Sequence, residues 1–294
     1  MLNKIFLTLT FLIIYFLNIT ISFSNEELSF NVTEIEILED GNKIKGSNGG
    51  DVFTKDGLKI SATNFLYDKN RNILNASGNV IIQDQINDYK IFSENITYRK
   101  NDELIQSKGK TDAKIYSRYI LESDDLVFLR IDKILESKKN TTIKDEVGNT
   151  LYKLEKFNFN LIDEILKGEK ILVNIDYNLP KNDKLYFENG MFNLKNKSYS
   201  AKDIEIRFKK DGVFSEQNDP RLKGVSVTSS NDITTINKGI FTSCKFNDNC
   251  PPWAISADKI IHDKNKKQMI YENALLKIYN IPVLYFPKFF HPDP

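Results

Sequence analysis

Ile60-Ser61-Ala62-Thr63-Asn64-Phe65-Leu66-Tyr67-Asp68-Lys69-Asn70 is a phrase that this chain repeats. It returns far downstream as Ile255-Ser256-Ala257-Asp258-Lys259-Ile260-Ile261-His262-Asp263-Lys264-Asn265, and a shorter echo, Ser200-Ala201-Lys202-Asp203-Ile204, lies between. A phrase that recurs over such a distance marks one structural unit stacked many times. The unit reads as a strand running into an Asp-Lys-Asn turn, because Asp and Asn hydrogen-bond their own backbone two or three residues on. The expectation is an all-β protein built as an elongated stack.

Between residues 32 and 140 the unit recurs about every thirty residues, a period in the range of repeat architectures. Tyr67 maps onto Tyr98 and Phe128, Phe65 onto Ile96 and Leu126, Ile73 onto Leu104 and Ile134, and Gly78 onto Gly109. Further on the strand alternation is clear: Ile171, Val173, Ile175 and Tyr177, then Ile204, Ile206 and Phe208, each separated by a more polar or outward position. A period of two puts every second side chain on one face. Helical spacing is scarce; Leu161, Ile162, Ile165 and Leu166 suggest one short helix from Phe159 to Gly168. Val213 to Asp232 reads as loop-rich, and the regular period lapses near Asn140 to Gly148.

Composition narrows the class. With 40% hydrophobic and 28% charged residues among 294, the chain is that of a folded protein and not of a disordered one. A formal charge of +1 gives no field that would draw in nucleic acid. The basic residues are nearly all Lys, with Arg only at 71, 99, 118, 130, 207 and 221; bidentate base reading prefers Arg, so a nucleic-acid role is not expected. Lys4, the apolar run Ile5 to Leu17, and Ser22 and Ser24 ahead of Asn25 predict a cleaved export signal over 1–24, with an uncleaved anchor as the alternative. Cys244 and Cys250 flank a short polar loop that a disulfide would close in an oxidising compartment; free thiols and a metal site are the other readings. Zinc would need two more ligands, and His262 and His291, the only histidines, lack ligand spacing to the pair. No cofactor or metal is expected. The last fifty residues hold most of the prolines and the only Trp, and proline-interrupted segments cannot form a central strand.

Three strings carry a family resemblance: Thr242-Ser243-Cys244; Pro252-Trp253-Ala254-Ile255-Ser256-Ala257-Asp258-Lys259-Ile260-Ile261-His262-Asp263; and Ile281-Pro282-Val283-Leu284-Tyr285-Phe286-Pro287 followed by His291-Pro292-Asp293-Pro294. Together they resemble the N-terminal half of lipopolysaccharide-assembly proteins of the LptD (OstA) family. The unit from Tyr67-Asp68 to Ala76-Ser77-Gly78-Asn79-Val80 looks like the repeat shared by OstA, LptA and LptC proteins. The resemblance implies a β-jelly-roll, or β-taco, on the periplasmic face of the outer membrane, with lipid A acyl chains between its sheets. It also implies an LptA-like bridge joined by strand addition, for which Val32 to Leu38 is the expected receiving edge. In the family an outer-membrane β-barrel follows, with an LptE-like lipoprotein as its partner; this sequence stops where that barrel would begin, and truncation is the expectation.

The organisation expected is therefore a signal peptide (1–24), OstA/LptA-like jelly-roll repeats (25–140), a continuing β-rich region (141–240) and a Cys-Pro-Pro-Trp segment with a junction (241–294). The lipid-lining candidates are the apolar repeat positions Phe65, Tyr67, Ile73, Val80, Ile82, Tyr98 and Phe128, for which plain core packing is the competing reading. The function expected is lipopolysaccharide transport without catalysis, the alternative being a self-contained LptA-like soluble bridge. An enzyme is disfavoured by the scarcity of His, and Asp68 and Asp263 read as turn formers. A structural adhesin would show more regular copies.

Overall fold

The structure is a computed structural model that describes residues 28–180, 182–208, 217–246 and 251–292. The expected export signal and Cys250 lie outside these residues. The described chain is all-β and antiparallel, with one 3-10 turn at Glu39–Gly41 and no α-helix. The strands are β1 (Leu28–Leu38), β2 (Lys43–Thr54), β3 (Leu58–Ala62), β4 (Asn64–Asp68), β5 (Ile73–Asp84), β6 (Tyr89–Arg99) and β7 (Leu104–Ile115). There follow β8 (Tyr119–Asp124), β9 (Val127–Leu129), β10 (Ile134–Ser137), β11 (Thr141–Asp145), β12 (Thr150–Leu154), β13 (Lys156–Asn160) and β14 (Ile165–Ile175). The last are β15 (Lys184–Asn193), β16 (Ser198–Arg207), β17 (Arg221–Ser230), β18 (Ile233–Thr242), β19 (Trp253–Asp263), β20 (Gln268–Ile278) and β21 (Ile281–Pro292).

The ladder climbs in sequence order from β1 to β21, one rung at a time. Most rungs are single strands, while β3 with β4, β8 with β9, β10 with β11 and β12 with β13 each make one divided rung whose halves pair with the rungs on either side. Several rungs bend at mid-length. Asn48, Gly78, Gly109, Lys170, Asp203, Lys238 and Asn273 take a left-handed backbone there, with φ from 51° to 82°. Between them the rungs break at the same level: β3 gives way to β4 at Thr63, and β12 to β13 at Glu155. At Gly78 the left-handed turn is also tight: an added Cβ would sit 2.6 Å from Thr63 Oγ1. The Thr63 N–H donates to the Gly78 carbonyl across that corner at 3.0 Å.

The bends fold the ladder into two layers joined along a spine. Layer I holds the half-rungs in register through Val52, Ile60, Ile82, Ile91, Ala113, Leu121, Ile143, Tyr152, Val173, Leu185, Ile206 and Leu222. Layer II holds those through Tyr67, Leu74, Tyr98, Ile105, Phe128, Leu135, Phe159, Leu166, Phe192 and Tyr199. Both rows point inward, and rings meet across the gap. Tyr89 lies edge-on to Phe128 at 4.9 Å and Tyr119 to Phe159 at 5.1 Å, with Tyr152 and Phe192 at 5.7 Å. Opposite the spine, the turns of the two layers face each other along a mouth.

The repeated phrase occupies equivalent places. Ile60 and Ile255 are both in layer I, Phe65 and Ile260 both face inward in layer II, and Asp68 and Asp263 both open a mouth-side turn. Each of these carboxylates accepts a backbone N–H three residues on, Arg71 at 3.1 Å and Lys266 at 3.0 Å. The shorter echo is different: Ser200 to Ile204 lies on β16, which crosses from layer II to layer I, the opposite direction.

Three sequence expectations change. Phe159 to Gly168 is strand, turn and strand, not helix; Asn160 Oδ1 caps the turn by accepting from Ile162 and Asp163. A four-residue turn between two strands brings apolar residues to helix-like intervals, which is why the pattern misleads. The stretch read as loop-rich contains β17, paired along its length with β16 and β18. The ladder also runs unbroken through 140–148, where β11 pairs with both β8 and β12.

Candidate functional site

From Tyr152 onward the two layers separate enough to leave a cavity of about 390 Å³ that reaches the mouth, within the size range of ligand pockets. Its walls are Tyr152, Val173, Leu185 and Ile206 from layer I and Phe192, Leu194 and Tyr199 from layer II. Lys197, Lys264, Asp176, Asp183 and Asp232, all in mouth-side turns, form the rim. Along layer II the inward row turns polar past Tyr199, to Ser229, Thr234 and His262. Ser229 and Thr234 share a hydrogen bond of 2.8 Å between their hydroxyls. Burial raises the Tyr199 phenol, an effect that hydrogen bonds with Thr234 and Ser229 oppose. The space is thus an apolar slot with a hydroxyl-lined side and a charged lip, the form that suits one end of an amphipathic molecule.

A larger hollow, about 1060 Å³, lies on the outer face of layer II. Its floor is the outward row Gln106, Val127, Glu136, Asn158, Lys167, Met191 and Ser200. That row is mostly polar by residue type, although much of the surface it turns to the hollow is apolar. The smaller cavity is the better candidate by position, because it lies between the two layers with aromatic and aliphatic walls on both sides.

The residues singled out in the sequence lie one section earlier. Phe65, Tyr67, Val80, Ile82, Tyr98 and Phe128 all face inward and are buried, part of one continuous core. A hollow of about 810 Å³ borders Phe65 and one of about 30 Å³ borders Phe128, but neither is walled by inward apolar rows of both layers as the 390 Å³ cavity is. Ile73 is half-exposed on the outer face, and its neighbour Leu74 takes the inward position. Cavity residues Leu185, Phe192 and Tyr199 went unnoticed because the phrase used to align copies fades past residue 140. Phe159 and Phe192 continue the row of Tyr67, Tyr98 and Phe128, and an aromatic roughly one repeat on was the available signal.

Two arginines close the mouth over the filled section. Arg130, in a layer II turn with an 8% exposed side chain, reaches layer I. Its Nη2 donates to Asp56 at 2.7 Å and Asp84 at 3.2 Å, and its Nε to the Tyr89 hydroxyl at 2.8 Å. Within its own layer it also meets Glu103 and the Tyr98 hydroxyl. Arg118, in a layer I turn, holds Asp145 with Nε and Nη2 at 2.9 and 2.8 Å. Its Nη1 crosses to Glu164 of layer II at 2.8 Å, where the Tyr119 hydroxyl also donates. Burial raises the Asp84 carboxyl, but the Asn87 N–H groups and Arg130 outweigh it and hold it below the ordinary value. Asp145 is lowered in the same way, burial opposed by Arg118 and the Gly148 N–H. Burial pushes the Tyr89, Tyr98 and Tyr119 phenols up, so they stay neutral donors.

The two ends of the ladder are unlike. β1 pairs only with β2 and β21 only with β20 among the described strands, so each leaves an edge. β1 contains no proline, whereas β21 has Pro282, Pro287 and Pro292, which cannot donate to an added strand. Among the described strands the proline-rich segment is thus an edge strand. Its Ile281, Tyr285 and Phe290 are exposed. Cys244 is half-buried with Sγ 3.6 Å from the Trp253 carbonyl; its pairing with Cys250 falls outside the described residues. Among the described residues no group of three or more His, Cys, Asp or Glu is placed to hold a metal. In comparisons with known proteins, no family model matches this chain and no curated protein matches it.

Proposed function

We propose that this chain is the periplasmic lipid-binding part of a lipopolysaccharide-transport assembly of the LptD kind. The two bent layers are the β-jelly-roll, or β-taco; acyl chains lie in the slot between Leu185 and Phe192, and the polar part of the lipid rests on the rim. The observation that carries this reading is a cavity between the layers with aromatic and aliphatic walls and charged residues of the mouth-side turns along its rim. Each methylene withdrawn from water contributes about 0.8 kcal/mol, so chain burial alone supplies useful affinity. The protein does no chemistry on the lipid. A partner strand from an LptA-like bridge joins at β1, which among the described strands pairs on one side only and so offers an edge suited to strand addition. A bridge that accepts strands at both ends fits less well, because β21 carries prolines.

The test is displacement of a fluorescent acyl-chain reporter by purified lipopolysaccharide. Leu185→Asp, in the cavity, is expected to abolish reporter binding, and Leu66→Asp, on the outer face, to leave it unchanged. Binding retained in a folded Leu185→Asp protein would refute the assignment.

A further inference from the structure

We infer that Arg130 and Arg118 are latches across the mouth that must release before lipid can pass between the β1 end of the ladder and the cavity. This rests on the lipid-binding reading above. The two arginines reach across in opposite senses: Arg130 goes from layer II to Asp56, Asp84 and Tyr89 of layer I, and Arg118 from layer I to Glu164 of layer II. Behind them the interior is filled, with Tyr98, Tyr119 and Phe159 all under 2% exposed and a space of only about 30 Å³ beside Tyr89 and Phe128, far too small for an acyl chain. A lipid coming from β1 has no space there unless the layers part, and parting them breaks these contacts. Past Glu164 the contacts described for arginine stay on layer I: Arg207 pairs with Glu205, and Arg221 donates to the carbonyls of Asp219 and Cys244. Arg118 and Asp145 line the near end of the cavity, so the space lies directly against the second latch.

The chemistry of the seam favours a releasable closure. A permanently shut mouth is made most stably of apolar side chains, since a buried ion pair is often no better than a hydrophobic replacement. Here the seam is ionic, although the interior behind it is apolar. Its outer members also lie within reach of water: the Asp56 side chain is 48% exposed, and Glu164 and Arg118 about a quarter. Charges freed on opening are therefore resolvated rather than stranded.

The experiment places spin labels at Ile86 and Asp102, exposed turn residues on the two sides of the Arg130 latch, in a background with Cys244→Ser and Cys250→Ser. Without lipid the latched protein should give one narrow distance distribution, and Arg130→Met a longer and broader one. Should Arg130→Met not fold, Asp56→Asn and Glu164→Gln each remove one cross-mouth charge at the more exposed end and are expected to broaden the distribution less. Identical distributions in folded wild-type and variant proteins would overturn the latch. In parallel, a photo-crosslinking residue at Phe128 or Leu185 is exposed to purified lipopolysaccharide. Labelling at 128 should be weak in the wild type and rise several-fold with Arg130→Met, while labelling at 185 stays constant. Equal labelling at 128 and 185 in the wild type would also overturn it. If neither position is labelled in any protein, the lipid reading fails, and the distance measurement still decides whether the latches hold the mouth.

Discussion

Phe159→Ala tests whether the two layers face each other as described. Phe159 is completely buried in layer II, and its ring meets Tyr119 of layer I edge-on at 5.1 Å with an interplanar angle of 88°. Truncating a buried Phe to Ala costs about 3–5 kcal/mol from lost transfer energy and the cavity left behind. The T-shaped pair accounts for about 0.5–1.5 kcal/mol of interaction beyond area burial. That part can be isolated with Tyr119→Leu and the double variant. Urea unfolding of all four proteins, followed by far-ultraviolet circular dichroism, gives the cycle. The coupling energy should be about 0.5–1.5 kcal/mol, well above the few tenths typical of separated sites. Phe290→Ala serves as the control: Phe290 is 70% exposed, so its loss should stay within about 0.5 kcal/mol. A coupling energy of zero between Tyr119 and Phe159, or a Phe290→Ala loss as large as that of Phe159→Ala, would refute the two-layer arrangement.

Arg130→Met leaves the Asp84 carboxylate, 0% exposed, without its cation and should cost about 3–5 kcal/mol, read from denaturant midpoints; a loss under about 1 kcal/mol would show that the cluster is not buried. Asp84 and Asp145 have folded values below 3.8, so their stabilisation is present above the unfolded value and is lost as pH falls through the lower folded value. Stability should therefore hold from neutral pH down to about 5 and decline below about 4, less steeply in Arg130→Met; equal acid slopes would contradict the assignment. Gly78 and Gly109 share φ of 82°, but an added Cβ meets Thr63 at Gly78 and nothing within 4 Å at Gly109. Both substitutions to Ala carry about 1–2 kcal/mol of backbone strain, and Gly78→Ala should lower the melting temperature further; equal shifts would mean the corner is loose.

The repeated phrase made the architecture readable because turn chemistry and alternation are local. Asp68 and Asp263 cap their turns through contacts three residues away, and Ile171 and Val173 are inward for the same reason they alternate. The bend at the spine was less visible: Gly78 and Gly109 aligned in the sequence, but Lys170, Asp203 and Lys238 perform the same left-handed turn without a distinctive residue type. The cavity was not legible at all. Whether two inward rows touch or leave room depends on the separation of layers, and Phe128 and Phe192 look alike in the sequence although one fills the core and the other lines a slot. Two of the six arginines proved to be the mouth closures. Their partners lie far along the chain, Asp56 seventy-four residues from Arg130 and Glu164 forty-six from Arg118, beyond the reach of any spacing rule.

The most direct test of the lipid-binding claim is a structure of the chain with bound lipopolysaccharide. The account predicts acyl-chain density between the layers, bounded by Tyr152, Leu185, Phe192 and Tyr199, with phosphate or sugar groups near Lys197 and Lys264 at the rim. Lipid lying instead in the outer hollow against Val127 and Met191, with the interior unchanged, would contradict it.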